Sequence, residues 1–435
     1  METNKEIELA KDLINFIEES PTAFHAVSEA KKLLEANGFK ELKEEEQWVI
    51  KENSKYFTIK NNSAMIAFEI GNGKIRKKGF KIVGAHTDTP CFRIKPNAEI
   101  IKENSYLKLN TEVYGGPILN TWFDRTLSLA GRVILKGENI MEPKISFINI
   151  KRPLMVIPNL AIHMNREVNK GIEINPQNDT LPLLTMVNEE LEKENVLLRL
   201  IAHELKVDYK EILDFDIFLY EYEKGSIIGL QNEFISSSRL DDLEAVHAGL
   251  KALLESGVNE GVNVLALFDN EEIGSATKQG ADSNLLSNTL ERIVYSLGGN
   301  RAEFFRALAN SFMISADGAH AVHPNNVDKS DPTSRPIINK GPALKVSANQ
   351  KYTSDSYSSS ILIQICEKAE IPMQKFVNRS DERGGSTIGP ISSTHLNLNA
   401  VDIGIPMLAM HSIREMVGVK DHYYMYNLLK EFYSL

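Results

Sequence analysis

Apolar residues fall along this chain in two alternating rhythms. Between Ile7 and Ile17, the positions Leu9, Leu13, Ile14 and Ile17 recur at helical spacing, and Ser20-Pro21 closes the segment. A second helix is predicted over Ala23 to Leu34, ended by Asn37-Gly38. Phe57 to Ile70, broken at Asn61-Asn62, has the pattern of a hairpin. Phe80 to Ala85 and Val262 to Phe268 differ from it: they are short unbroken apolar runs bounded by polar residues, as strands buried on both faces of a parallel sheet read. Ser311 to Ala316 and Ile405 to Met410 have the same character. Asp241 opens a predicted helix with Leu240, Leu243, Val246, Leu250 and Leu253 on one side. From about Arg93 to Glu233 the pattern changes to short alternating segments and turns, with helical spacing in places over Thr180 to Tyr209. The expected organisation is a discontinuous α/β domain, residues 1–92 and 237–435, interrupted by a largely β insertion at 93–236.

Composition narrows the partners. With 435 residues, 42% hydrophobic and 25% charged, the chain has the make-up of a globular protein with room for two or three domains. A formal charge of -10 and the lack of any Lys/Arg block argue against nucleic acid or a membrane surface as partner. Cys91 and Cys366 are too few and too far apart for a disulfide framework or a thiolate zinc site. The first residues, METNKEIELAKDL, do not form a basic segment followed by an apolar core, and no apolar stretch approaches the roughly 20 residues needed to cross a bilayer. The expected location is the cytoplasm.

The chemistry lies where the apolar runs stop. Phe80 to Ala85 leads into His86-Thr87-Asp88-Thr89-Pro90, Val262 to Phe268 into Asp269-Asn270-Glu271-Glu272, Ser311 to Ala316 into Asp317, and Ile405 to Met410 into His411. Asp241 sits at a helix start. Open α/β sheets bind ligands at the carboxyl ends of their strands, so four such ends of one sheet would share a crevice. An isolated Glu-Glu is most often a solvated acidic turn, and a lone histidine is most often a surface or core residue. Five such residues at corresponding ends of successive elements are harder to dismiss. Two imidazoles and three carboxylates suit zinc, cobalt or manganese better than calcium or magnesium. If one carboxylate bridges two ions, each ion receives three protein ligands and keeps a position open. Neighbouring side chains diverge, so Glu272 could ligate while Glu271 reaches water.

These blocks carry a resemblance. His86-Thr87-Asp88-Thr89-Pro90, Ser238-Arg239-Leu240-Asp241-Asp242-Leu243, Phe268-Asp269-Asn270-Glu271-Glu272-Ile273-Gly274-Ser275, Ser315-Ala316-Asp317 with Ala319 to Asn325, and Leu408 to Glu415 resemble, in order, the signature blocks of the aspartyl aminopeptidase family, which includes enzymes of the vacuolar aminopeptidase I type. The resemblance covers nearly the whole chain. It implies a zinc-peptidase (phosphorylase/hydrolase-like) three-layer αβα core with an inserted, largely β dimerisation domain. It also implies two zinc ions per subunit, with cobalt or manganese as substitutes. By similarity Asp241 bridges, His86 and Asp317 complete one site, and Glu272 and His411 complete the other. Glu271 would be the general base acting on a hydroxide shared by the two ions, and Asp88 would orient the His86 imidazole. The implied activity is removal of the amino-terminal residue from peptides with a free amino terminus, with a preference for Asp or Glu there.

The same resemblance touches residues outside the ligand set. Ile157 to His163 is similar to the family segment whose histidine, here His163, reaches a neighbouring subunit's active site, which implies at least a dimer and, in the family, a tetrahedral dodecamer. Lys345 in Gly341 to Val346, Tyr352 in Gln350-Lys351-Tyr352, and Gly385 in Gly384 to Pro390 are similar to the substrate pocket. Read alone, Lys345 is equally a solvated surface charge. Ser347-Ala348-Asn349 departs from the acid-specific pattern. His320 and His323 sit close to Asp317 and are candidates to shape the site, whereas Ser386 lacks the flanking pattern of a nucleophile elbow. The same metal framework also serves dizinc carboxypeptidases and amide deacylases. A cage-forming or cargo-binding relative without catalysis is a reading from another class. Metal content and a comparison of free with blocked amino termini separate these readings.

Overall fold

The computed structural model describes residues 2–72, 75–187, 195–257, 260–382 and 384–435. The chain divides into two compact units: Met1–Asp88, Gly225–Met410 and Glu415–Leu435 form the first, and Thr89–Lys224 with His411–Arg414 the second.

The first unit is built on a nine-stranded sheet. At its centre the strands Val262–Phe268, Phe80–His86, Phe312–Ala316 and Asn399–Gly404 lie side by side and parallel. Alternate residues of Val262–Phe268 enter two different cores. Val264, Ala266 and Phe268 pack with the helices Leu285–Ser296, Arg301–Ala309 and Ile388–Leu396. Leu265 and Leu267 pack with Glu2–Glu19, Ala23–Ala36, Leu240–Ser256, Ser356–Lys368 and Val419–Ser434. The sheet is thus covered on both faces in an α/β arrangement, which explains why its strands read as unbroken apolar runs. Each fully buried Leu or Phe here contributes about 1.5–3 kcal/mol. The helix Leu240–Ser256 lies close on the sheet at Gly249, where a Cβ would come within 2.8 Å of Leu265 Cδ1.

The sequence reading differs from the structure at one strand. Ile405 to Met410 is not the next member of the large sheet; Asn399–Gly404 is, and the chain then leaves as the short strand Pro406–Leu408 of a separate five-stranded sheet. Asp402 breaks the apolar run that would have marked the true strand, and Gly404 allows the exit, since a Cβ there would lie 2.1 Å from the Asp317 carbonyl oxygen. The limits of the insertion differ too. Ser226–Ile228 and Phe234–Ser237 pair onward to Glu415–Gly418 within the first unit, so the second unit ends at Lys224 rather than 236, and it begins at Thr89.

The second unit holds a six-stranded sheet whose assigned pairings are antiparallel. Phe92, Leu107, Leu129, Val133, Ile217 and Leu219 form its core with Leu197 and Ile201 of the helix Val196–Leu205. Residues 188–194, part of the Thr180 to Tyr209 reading, lie outside the described residues. Among the described residues no helix is long and apolar enough to cross a membrane.

Candidate metal centre

Sheet register brings the strand ends together. His86, the last residue of its strand, pairs with Phe268, and the Thr87 amide donates to the Phe268 carbonyl at 2.8 Å. The turn after Phe268 therefore delivers Glu271 and Glu272 beside His86. One strand further across, Asp317 follows Phe312–Ala316, its amide donating to the Ile403 carbonyl at 3.1 Å. Asp241 and Asp242 stand in the first turn of Leu240–Ser256 with backbone angles outside the helical range, and the Asp241 amide donates to Glu415 Oε2 at 3.0 Å.

His86, Asp241, Asp242 and Asp317 each place one potential ligand atom within 4.8 Å of the others, and His86, Glu271 and Glu272 do the same. His86 Nε2 lies 3.4 Å from Asp241 Oδ1, while its Nδ1 lies 3.0 Å from the Asp88 carbonyl oxygen and 3.5 Å from Asp88 Oδ1. The Asp88 carboxylate also accepts the Glu271 amide at 3.1 Å and the Glu272 amide at 3.2 Å, one on each oxygen. It thus fixes the backbone of the glutamate pair as well as facing the imidazole.

Two acidic residues that the sequence reading did not assign bear on this cluster. Asp242 belongs to it, is fully buried and accepts the His86 amide on Oδ2 at 3.1 Å; Glu244, two residues on, is also fully buried, with His422 Nδ1 3.9 Å from its Oε2. Both would be exposed if the acidic start of this helix were an ordinary solvated cap. The Asp241-Asp242 doublet ahead of an apolar helix was the available signal.

The electrostatics of the cluster are dominated by buried negative charge. Burial raises the pKa of Asp242 and Glu244 well above the carboxylate range, and neighbouring Asp241 and Asp317 push each further. Glu272 is likewise raised well above its ordinary value by burial and then by Asp241, against His86. Burial raises Glu271 to about 7, with His86 opposing and Asp317, Asp88 and Asp241 adding. Asp317 is raised by burial against the pull of Lys345. Burial disfavours a charge on His86, yet Asp242, Asp241 and Asp88 hold its pKa well above the ordinary value. So many buried carboxylates beside so few cations require protons or added positive charge. Their oxygens together with an imidazole suit a divalent transition metal, and zinc fits this donor set.

The remaining assigned residues lie as follows. His411 opens the segment His411–Arg414, which packs in the second unit: the Ile118 amide donates to its carbonyl at 2.9 Å, and its Nδ1 lies 3.0 Å from the Gly116 carbonyl oxygen. His163 is exposed on the short turn Ile162–Met164 of that unit. Lys345 is only 3% exposed, which excludes the solvated-charge reading. Its Nζ lies 3.5 Å from Asp317 Oδ1 and 5.4 Å from the centre of the Tyr352 ring. Tyr352 is buried, and Gly385 is exposed with open space where a Cβ would point. His320 is exposed and packs edge-on to Phe376 at 5.9 Å, while His323 receives the Asn325 amide in a surface turn.

Comparison with known proteins follows the same lines. The family model for aminopeptidase I zinc metalloproteases (M18) matches residues 16–433. A probable M18 family aminopeptidase 2 from Clostridium novyi (strain NT) is 65% identical over 429 residues, covering 99% of both chains. The cryo-EM structure of the Ape4 and Nbr1 complex contains a chain 37% identical that superposes with a TM-score of 0.95, over 99% of this chain and 86% of that one. The S. cerevisiae mApe1 dodecamer matches at 27% identity with a TM-score of 0.86, over 99% of this chain and 97% of the other. A two-faced α/β sheet that gathers carboxylates and an imidazole at its strand ends, joined to these likenesses, defines the class as a metal-dependent peptidase. Within that class the chain belongs to the M18 family of zinc aminopeptidases. That membership favours an aminopeptidase over the carboxypeptidase, deacylase and scaffold readings.

Proposed function

We propose that the chain removes acidic amino-terminal residues from peptides at a centre holding two zinc ions, with Asp241 shared, His86 and Asp317 on one ion, and Glu272 and His411 on the other. The buried carboxylate cluster around His86 is the observation that carries this reading. His411 enters on its signature block, Leu408 to Glu415. Zinc, or cobalt or manganese in its place, would polarise the scissile carbonyl and make water more acidic there. Glu271 is the proposed base: its carboxylate takes a proton from the attacking water and hands it to the leaving nitrogen, so the peptide C–N bond breaks as the new C–O bond forms. A pKa near neutrality suits a group that must do both. Asp88 holds Glu271 and Glu272 by their amides and His86 by its ring.

Lys345 is the proposed partner of the acidic side chain. Burial opposes its charge, but Asp317, Tyr352, Asp402 and Asp241 nearby raise its pKa, so it stays an ammonium. Its remaining N–H donors would pair with a substrate carboxylate, flanked by Tyr352 and Gly385. We further propose that the chain self-associates through the insertion into dimers and a dodecamer, with His163 serving a neighbouring subunit's site. The dodecameric S. cerevisiae relative supports that reading. The net charge of -10 and a content of only two cysteines, far apart in sequence, support a cytoplasmic location.

The test combines metal analysis with a substrate panel. Purified protein should carry about two transition-metal ions per chain and cleave aspartyl and glutamyl anilides only when the amino terminus is free. A strong preference for leucyl anilide would reject the acidic specificity, and cleavage of blocked substrates would reject the exopeptidase reading.

A further inference from the structure

One fully buried carboxylate in the first unit lies outside the metal cluster and has so far entered only as a charge near Lys345. Asp402 lies inside the strand Asn399–Gly404 and is 0% exposed. That strand pairs antiparallel with Ala343–Val346 through Ala343↔Gly404 and Leu344↔Ile403, and the same register continued one step sets Lys345 opposite Asp402. Ile403 and Leu344 enter the core under Leu240–Ser256, so Asp402 and Lys345 point to the other face, where Ile388–Leu396 lies.

What Asp402 touches there is specific. Its Oδ1 accepts the Thr387 hydroxyl at 2.6 Å, and Thr387 caps the helix Ile388–Leu396 at the end of the Gly384–Gly385–Ser386 loop. Its Oδ2 accepts the Thr353 amide at 2.6 Å, immediately after Tyr352. A Cβ on Gly389 would lie 2.6 Å from both carboxylate oxygens, so the first turn of that helix sits directly on the carboxylate. The two segments it joins also touch each other, since the Ser386 hydroxyl donates to the Lys351 carbonyl at 3.3 Å. Asn378 links them again: its side-chain amide donates to the Tyr352 hydroxyl at 3.5 Å, and a Cβ on Gly384 would strike it.

We infer that Asp402 is a positioning residue for the pocket of the amino-terminal side chain, fixing the Tyr352 wall, the Gly384–Thr387 loop and the Lys345 strand against one another. This rests on the acidic-residue reading above. A general structural Asp would bond to its own strand or to one neighbour. Asp402 does face Ser315 of the neighbouring strand Phe312–Ala316, but it bonds as well to the two loops that carry Tyr352 and Gly385, and it faces the strand of Lys345. It does not touch substrate in this account; it holds the groups that do.

The experiment measures Asp402→Asn and Thr387→Val, with Thr387→Ser as the conservative control, on aspartyl and leucyl anilides, alongside metal content, Tm and amide exchange. Thr387→Val removes one hydrogen bond to the carboxylate and Asp402→Asn removes the charge that strengthens them all, so KM for the aspartyl substrate should rise about tenfold while kcat stays within about threefold. KM for the leucyl substrate and the metal content should stay at parent values, and Thr387→Ser should behave as the parent. Amides of residues 352–354 and 385–389 should exchange faster in Asp402→Asn, and those of the strand Val262–Phe268, which does not border Asp402, should not. A lowered Tm with unchanged KM for both substrates would make Asp402 merely structural and overturn the inference. Equal losses on both substrates together with lost metal would also overturn it. If the parent itself shows no acidic preference, the specificity reading fails on its own account. The exchange data then decide the positioning role, and unchanged protection of the two loops ends it.

Discussion

The first unit buries two sets of carboxylates that differ in how their charge is met. Asp402 receives a hydroxyl on one oxygen and a backbone amide on the other, and faces a lysine across the sheet. Among the described residues Asp242 Oδ1 and both oxygens of Glu244 are buried with no hydrogen-bond partner, His422 Nδ1 lying 3.9 Å from Glu244 Oε2. Native interiors pair the great majority of such atoms, because an unmet buried acceptor costs about 1–3 kcal/mol. The first set is therefore complete with protein groups alone and acts as glue between loops. The second, crowded against Asp241 and Asp317, is a set whose balance calls for cations. Burial by itself does not mark a metal centre; burial without internal compensation does.

The most severe break of that contrast is to take the metal away. Chelation should abolish peptidase activity and restored zinc should return it. The same treatment should lower Tm, since a ligand bound only by the native state stabilises it by about 2.7 kcal/mol at one hundred times its Kd. The Asp402 region should keep its amide protection throughout. Activity that survives exhaustive chelation would dissolve the distinction between the two sets. Next in size is Glu271→Gln, which keeps the shape of the side chain and removes the proposed base. The kcat should fall by about 10² to 10⁴ with bound metal retained, as read by steady-state kinetics and metal analysis. Wild-type turnover in that variant would take Glu271 out of the mechanism.

The same contrast explains what could be read from the sequence. Phe80–His86, Val262–Phe268 and Phe312–Ala316 were legible because strands buried on both faces are apolar without interruption, and each points to its ligand by stopping. Asn399–Gly404 was missed in favour of Ile405 to Met410 because Asp402 stands inside it, and Ala343–Val346 was read only as pocket because Lys345 does the same. Hydrophobic periodicity cannot register a polar residue whose partners come from distant loops. Asp242 and Glu244 were hidden for a related reason: an acidic helix start reads as a solvated cap, and only tertiary packing buries it. The proposed ligand residues stood out because strand ends gather at one place by topology, whereas the groups that hold them depend on side-chain packing that no spacing encodes.

The smallest effect is the most diagnostic of uncompensated charge. In metal-free protein Glu271 has a folded pKa of about 7, and Asp242, Glu244 and Glu272 lie well above their ordinary values. A raised folded pKa means that the native state binds the proton more tightly than the unfolded chain does. The stability this contributes is complete below the unfolded carboxylate range and is lost as pH rises through the folded value. His247 and His422 act with the opposite sign. Burial depresses both, with Asp12 opposing at His247, so they add stability as pH rises to their unfolded value near 6.5. Above pH 7 that gain is finished while the carboxylate cluster is still losing protons. The Tm of chelated protein should therefore fall by a few degrees between about pH 7 and 8.5, as followed by thermal unfolding. Zinc reverses the trend for the loaded protein, because binding no longer has to expel protons as pH rises. The gap in Tm between loaded and metal-free protein should widen across the same interval. A gap that stays constant would mean that the cluster carries its charge without help, and the difference between it and Asp402 would vanish.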